Sequence, residues 1–94
     1  MFALHVEMKL KPGSRQALET TYMEIFRPAI SQQEGLGSVN LLRPNEDSGD
    51  YRLSIAFDNQ VSQQKWVTAD LHQKVWPQME GQCVNYSVKY YTAV

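Results

Sequence analysis

The stretch Trp66-Val67-Thr68-Ala69-Asp70-Leu71-His72-Gln73-Lys74-Val75-Trp76-Pro77 holds both tryptophans of the chain and one of its two histidines. An imidazole takes up or releases a proton near neutral pH, and indole rings build dry walls around flat ligands. Together they are the parts of an aromatic-lined pocket with one acid–base group. The same side chains also suit plain core packing, the commonest use of large aromatics. Spacing bears on the choice. His72 and Trp76 are four apart and share a helix face, whereas Trp66 and His72 would sit about 120° apart on one unbroken helix. Asp70 and Gln73 have the spacing of a capping box, so the helix is expected to break near Ala69 and restart. Such a break can bring Trp66 and His72 together.

Other chemistries are excluded by what is missing. The sequence has no Gly-rich phosphate loop, no CxxC pair and no Ser or Cys in a nucleophile elbow, so nucleotide cofactors are not expected. His5 and Glu7 share a strand face, but with His72 as the only other histidine they are too few for a metal site. A net charge of -1 and a pI near 6.1 give no electrostatic footprint for nucleic acid or an anionic membrane. Cys83 is the only cysteine, and its apolar neighbours suggest a packed thiol in a reducing compartment. Met1 to Leu10 alternates polar and apolar residues, unlike a signal peptide, and no stretch reaches transmembrane length. The expected location is the cytoplasm.

The elements that must position the segment follow from periodicity. With 94 residues, 43% of them apolar and 20% charged, the chain is expected to form one folded domain over 1–94. Phe2, Leu4, Val6, Met8 and Leu10 alternate with polar residues, the pattern of a strand with one buried face. After Pro12-Gly13-Ser14, Leu18, Tyr22, Ile25 and Ala29 recur at helical spacing to about Gln33, with a kink expected at Pro28 and an end at Gly35. A strand over 36–43, an acidic loop from Pro44 to Asp50 and a strand from Tyr51 come next. Asp58 or Asn59 can cap the following helix. Pro77 and Gly81 should close its second piece, ahead of a last strand carrying Val84, Tyr86, Val88 and Tyr90. The order is βαββαβ: an α+β, ferredoxin-like fold with a four-stranded antiparallel sheet and helices on one face. The other face is left bare, and its residues, among them His5, Glu7, Arg52, Ser54 and Lys89, leave a wet surface and a dimer interface equally open.

Along nearly its whole length the chain resembles the antibiotic biosynthesis monooxygenase domains of the dimeric α+β barrel superfamily. The likeness lies in the opening strand running into Lys11-Pro12-Gly13, in Gln33-Glu34-Gly35 before a strand, and in Trp66-x-x-Ala69-x-x-His72 followed by Val75-Trp76-Pro77. The resemblance implies a homodimer joined through the bare sheet faces. It also implies oxidation of a small quinol or polyphenol by O2 with no metal or flavin, the substrate itself supplying the electrons. On matching positions His72 would be the base that removes a phenolic proton, and Trp66 would stack on the ring and exclude water. Trp76, Tyr22 and Phe26 would complete the wall, and Asn40, Ser54 or Tyr86 are side chains of the type needed to donate to a developing oxyanion.

A haem-degrading branch of the superfamily carries an Asn on the first strand, a Trp in the second helical region and a His ten residues beyond it. Here only the Trp matches, because Val6 or Glu7 stands at the Asn position and Trp76 at the His position. Haem chemistry should therefore fail for lack of an axial ligand. Two other readings stay compatible with the resemblance. One is a non-catalytic ligand-binding or regulatory dimer, and the other an isomerase or decarboxylase in which His72 moves protons without oxygen.

Overall fold

The computed structural model describes residues 1–94. The alternation in the first segment produces β1 (Phe2–Leu10), which lies between β3 (Tyr51–Phe57) and β4 (Cys83–Thr92). β2 (Leu36–Leu42) pairs with the outer side of β3, so the antiparallel sheet has the order β2-β3-β1-β4 expected of a ferredoxin-like fold. Register follows the hydrophobic pattern: Leu4 pairs with Ile55, Val6 with Leu53 and Met8 with Tyr51, all buried beneath the helices. The opposite face carries the pairs His5–Ser54 and Glu7–Arg52, the latter an ion pair, and no helix covers it.

The first helical region is less regular than its apolar spacing predicts. α1 (Arg15–Thr21) passes into a π-helical turn, Tyr22–Phe26, and then into α2 (Arg27–Ile30). The Arg27 N–H reaches back five residues to the Tyr22 carbonyl, and the change of register falls where Pro28 has no N–H to continue the ladder. Helical structure ends at Ile30, short of Gln33, and Gly35 turns the chain into β2 with φ +84°. Only glycine suits this position, since a Cβ there would lie 2.4 Å from Ser62 Oγ.

α3 (Gln60–Thr68) starts at Asn59, whose Oδ1 accepts from the Ser62 N–H at 2.9 Å. Ala69, with ψ 144°, is extended and ends it, and α4 (Asp70–Glu80) begins at once. The break is where the sequence places it, but the capping box is not what forms. Asp70 is already inside the first turn, and Gln73 instead donates through Nε2 to the Val67 carbonyl at 3.0 Å, fastening the new helix to the end of the old one. Gly81 ends α4 as expected, but Pro77 does not interrupt it. The helix runs through it to Glu80 because Val75 and Met79, one on each side of the proline, are anchored in the core.

Sixteen apolar residues form one buried cluster between the sheet and the helices. Cys83 belongs to it, as expected of a packed thiol, and burial pushes its pKa up. β4 is different. Tyr86, Val88 and Tyr90 pair with Met8, Val6 and Leu4 on the helix side of the sheet, yet the helices cover them only in part and all three are exposed, as is Val84. No helix is long and apolar enough to cross a membrane.

Candidate functional site

The break at Ala69 changes the direction of the chain between Trp66 and His72, and their rings meet edge to face with centroids 5.1 Å apart and planes at 88°. Trp66 is only 3% exposed. Phe26, delivered by the π turn, stands edge-on to both indoles, at 6.0 Å from Trp66 and 6.4 Å from Trp76. Trp76 in turn meets Tyr86 of β4 at 5.2 Å. Between these rings and a floor of Leu4, Val6, Leu53 and Ile55 lies a cavity of about 170 Å³. Its wall continues on β4 through Tyr86, Val88 and Tyr90, which are 39%, 38% and 59% exposed, so this is the side that opens to solvent.

His72 is half-buried, and burial lowers its pKa from the ordinary imidazole value. The neutral ring, with one nitrogen free to accept a proton, is therefore its resting form at physiological pH. Its Nδ1 is sealed from solvent and has no hydrogen-bond partner. The Tyr86 phenol has its pKa raised, first by the Glu80 carboxylate and then by burial, so it stays a proton donor.

Five of the eight residues singled out from the sequence line this cavity: Phe26, Trp66, His72, Trp76 and Tyr86. Tyr22 does not. It stacks on Phe26 at 6.3 Å, sends its hydroxyl to the Val39 carbonyl at 3.4 Å, and borders a separate hollow beside Glu19 and Arg43. Asn40 and Ser54 are cross-strand partners on the bare face of the sheet, since the period of two that sends Leu41, Leu53 and Ile55 toward the helices sends their neighbours away. Neither can serve as a donor in the cavity.

Gln63 is the residue that sequence reasoning misses. It is 2% exposed, the only polar side chain in the buried set, it is one of the residues lining the cavity, and its buried Oε1 has no partner. An acceptor left unpaired in this way costs about 1–3 kcal/mol, so such groups are rare without a use. The available signal was spacing: Gln63, Trp66 and Val67 stand at i, i+3 and i+4, one face of α3, and all three line the cavity. No three His, Cys, Asp or Glu side chains come together as a metal-binding group.

Residues 1–77 match the antibiotic biosynthesis monooxygenase family. The chain belongs to that family. Solved structures agree on the fold. A variant of SnoaB, a cofactor-independent oxygenase from Streptomyces nogalater, superposes with a TM-score of 0.87 at 11% identity, over 98% of this chain and 91% of that one. Rv0793 from Mycobacterium tuberculosis gives 0.81 at 15% identity, over 99% and 94%. A conserved protein from Methanosarcina mazei gives 0.82 at 11%, over 96% and 89%. No curated protein matches the chain by sequence. In this member of the antibiotic biosynthesis monooxygenase family, the position ten residues beyond Trp66 is the Trp76 indole, a hydrogen-bond donor only, set between Phe26 and Tyr86. It offers no lone pair to a haem iron.

Proposed function

We infer that this chain is a cofactor-independent monooxygenase that oxidises a small aromatic quinol or polyphenol with O2, with His72 as the base. One observation carries the reading: a neutral, half-buried imidazole held edge-on to a buried indole at the wall of a largely apolar cavity. His72 takes the phenolic proton, and the resulting anion gives electrons to oxygen more readily than the neutral phenol does. For a hydroquinone the balance is substrate plus O2 to hydroxyquinone plus water. One oxygen atom bonds to a ring carbon, the O–O bond breaks, and the other oxygen leaves as water with two hydrogens from the substrate. The ring supplies all the electrons. Trp66, Phe26 and Trp76 exclude water around the ring and so protect the reactive intermediates, and the Tyr86 hydroxyl is the donor available to a developing oxyanion.

Size supports a small substrate. An apolar cavity near 150 Å³ holds benzene, so about 170 Å³ takes one ring, with a second ring reaching toward the open side at β4. In this reading the protein works as a homodimer through its bare sheet face, where Ala3 and Ala56 are paired and leave room for close approach. Oxygen uptake with a naphthohydroquinone tests the reaction. It should fall by about 10²–10⁴-fold in His72→Ala and stay at the wild-type rate in Lys74→Ala on the exposed side of α4; equal rates in all three proteins overturn the assignment.

A second reading, a ligand-binding dimer without turnover, is favoured by one feature: no carboxylate or carbonyl holds the Nδ1 of His72, as an orienting group commonly does for a working base. Binding of the naphthohydroquinone without oxygen uptake or product is the result that selects it.

A further inference from the structure

Gln63 is a buried polar residue of the cavity wall that the proposed reaction does not use. It stands one helical turn before Trp66 on the same face of α3, so a ring lying against the indole has the amide beside it. A side-chain amide carries an acceptor oxygen and two N–H donors, and rotation about its last torsion is soft. It can therefore turn an unpaired end toward a ligand. Other glutamines of this protein are occupied with its own backbone: Gln73 donates to Val67, and Gln33 to Ala29. Gln82 also leaves its Oε1 unpaired, but its Nε2 is tied to Thr21 and Ala17, and it lies outside this cavity. Gln63 alone combines near-complete burial, an unpaired oxygen and a place in the wall. Nearly all of the remaining wall is hydrocarbon, so a polar substituent on a bound ring has few partners besides Gln63, His72 and the β4 phenols.

We propose that Gln63 is a specificity-determining residue that reads a second hydroxyl on the aromatic ring, so that the cavity takes dihydroxy aromatics in preference to monophenols. This rests on the reading of the cavity as an aromatic-ligand site, with the first hydroxyl at His72. A hydroxyl on the ring both donates to Oε1 and accepts from Nε2, whereas a bare C–H leaves the buried amide unpaired.

The experiment is anaerobic binding, followed by quenching of tryptophan fluorescence, with 1,4-dihydroxynaphthalene and 1-naphthol as the matched pair. Excluding oxygen separates recognition from turnover. In the wild type the diol should bind about tenfold more tightly than the monophenol, the worth of one good hydrogen bond. In Gln63→Met, close in length and volume, that preference should fall to about twofold or less while 1-naphthol binds as well as before or better. The ratio is taken within the folded fraction of each preparation, so partial unfolding does not alter it, and Gln63→Leu provides a second variant. An unchanged ratio in both variants, no diol preference in the wild type, or binding of neither compound overturns the proposal. Oxygen uptake is a separate measurement. If it fails while the ratio behaves as described, the monooxygenase reading falls and the role of Gln63 stands. If uptake proceeds with a ratio indifferent to Gln63, the reverse holds.

Discussion

Replacing Gln63 by methionine should make the ligand-free protein more stable. The side chain is 2% exposed, and its Oε1 has neither a protein partner nor solvent. An acceptor in that state costs about 1–3 kcal/mol relative to one that is satisfied, and a thioether of similar length keeps the volume filled at under about 1.5 kcal/mol of packing loss. The balance favours the variant by roughly 1 kcal/mol. In a domain of 60–100 residues that is a rise of about 4–8 °C in Tm, well within the resolution of thermal unfolding followed by circular dichroism. Urea unfolding at 25 °C gives an independent value, with the midpoint moving up and the slope unchanged. Saturating diol should close most of that gap, since a Kd about fivefold tighter in the wild type is worth about 1 kcal/mol when the ligand is far above both Kd values. A Tm at or below that of the wild type without ligand would refute the reasoning, because it would mean that the amide already has its partners and is a structural group.

Three further perturbations probe other parts of the protein. Burial lowers the pKa of His72 in the folded state, so the unfolded chain takes up the proton first. Stability is therefore full above the ordinary imidazole value near 6.5 and is lost as pH falls below it toward the folded value, and urea titrations at several pH values should show His72→Gln removing that dependence. Gly35→Ala places a Cβ 2.4 Å from Ser62 Oγ at a backbone φ of +84° and should cost about 2 kcal/mol or more, read as a lower urea midpoint. Ala56→Arg puts a long charged side chain on the bare sheet face near the end of β3 and should turn the proposed dimer into a monomer in sedimentation velocity, with the far-ultraviolet spectrum retained.

Much of the fold was legible because the sheet is written in a period of two. Leu4, Val6 and Met8, then Tyr51, Leu53, Ile55 and Phe57, each occupy alternate positions and each are buried on the helix side. The site was half legible. The aromatic density around His72 pointed to it, and the spacing of Asp70 and Gln73 located the break, although Gln73 acts there by gripping the Val67 carbonyl. Asn40 and Ser54 have the side-chain type of an oxyanion donor, but strand parity, which already puts Ser54 on the bare face, sends both away from the cavity. Gln63 is harder to read for a different reason: a glutamine on a helix reads as surface, and its place one turn before Trp66 is the only sequence sign that α3 turns it inward.

The places where local rules failed are also the places that build the cavity. A regular helix through Tyr22–Phe26 would present Phe26 on another face; the π turn, forced where Pro28 interrupts the ladder, sets it edge-on to both tryptophans. A continuous helix through Ala69 would hold His72 about 120° away from Trp66, but the extended residue brings the two rings to 5.1 Å. An α4 that stopped at Pro77 would leave Trp76 at a fraying end, whereas the turn beyond it, anchored by Met79, fixes the indole against Tyr86. Each departure has an energetic cost, and each delivers one wall of the same space. A sequence selected for fold stability alone has no reason to gather three such interruptions around an empty volume and leave a buried amide unpaired beside it. That coincidence argues for a ligand more strongly than the aromatic composition of the wall does.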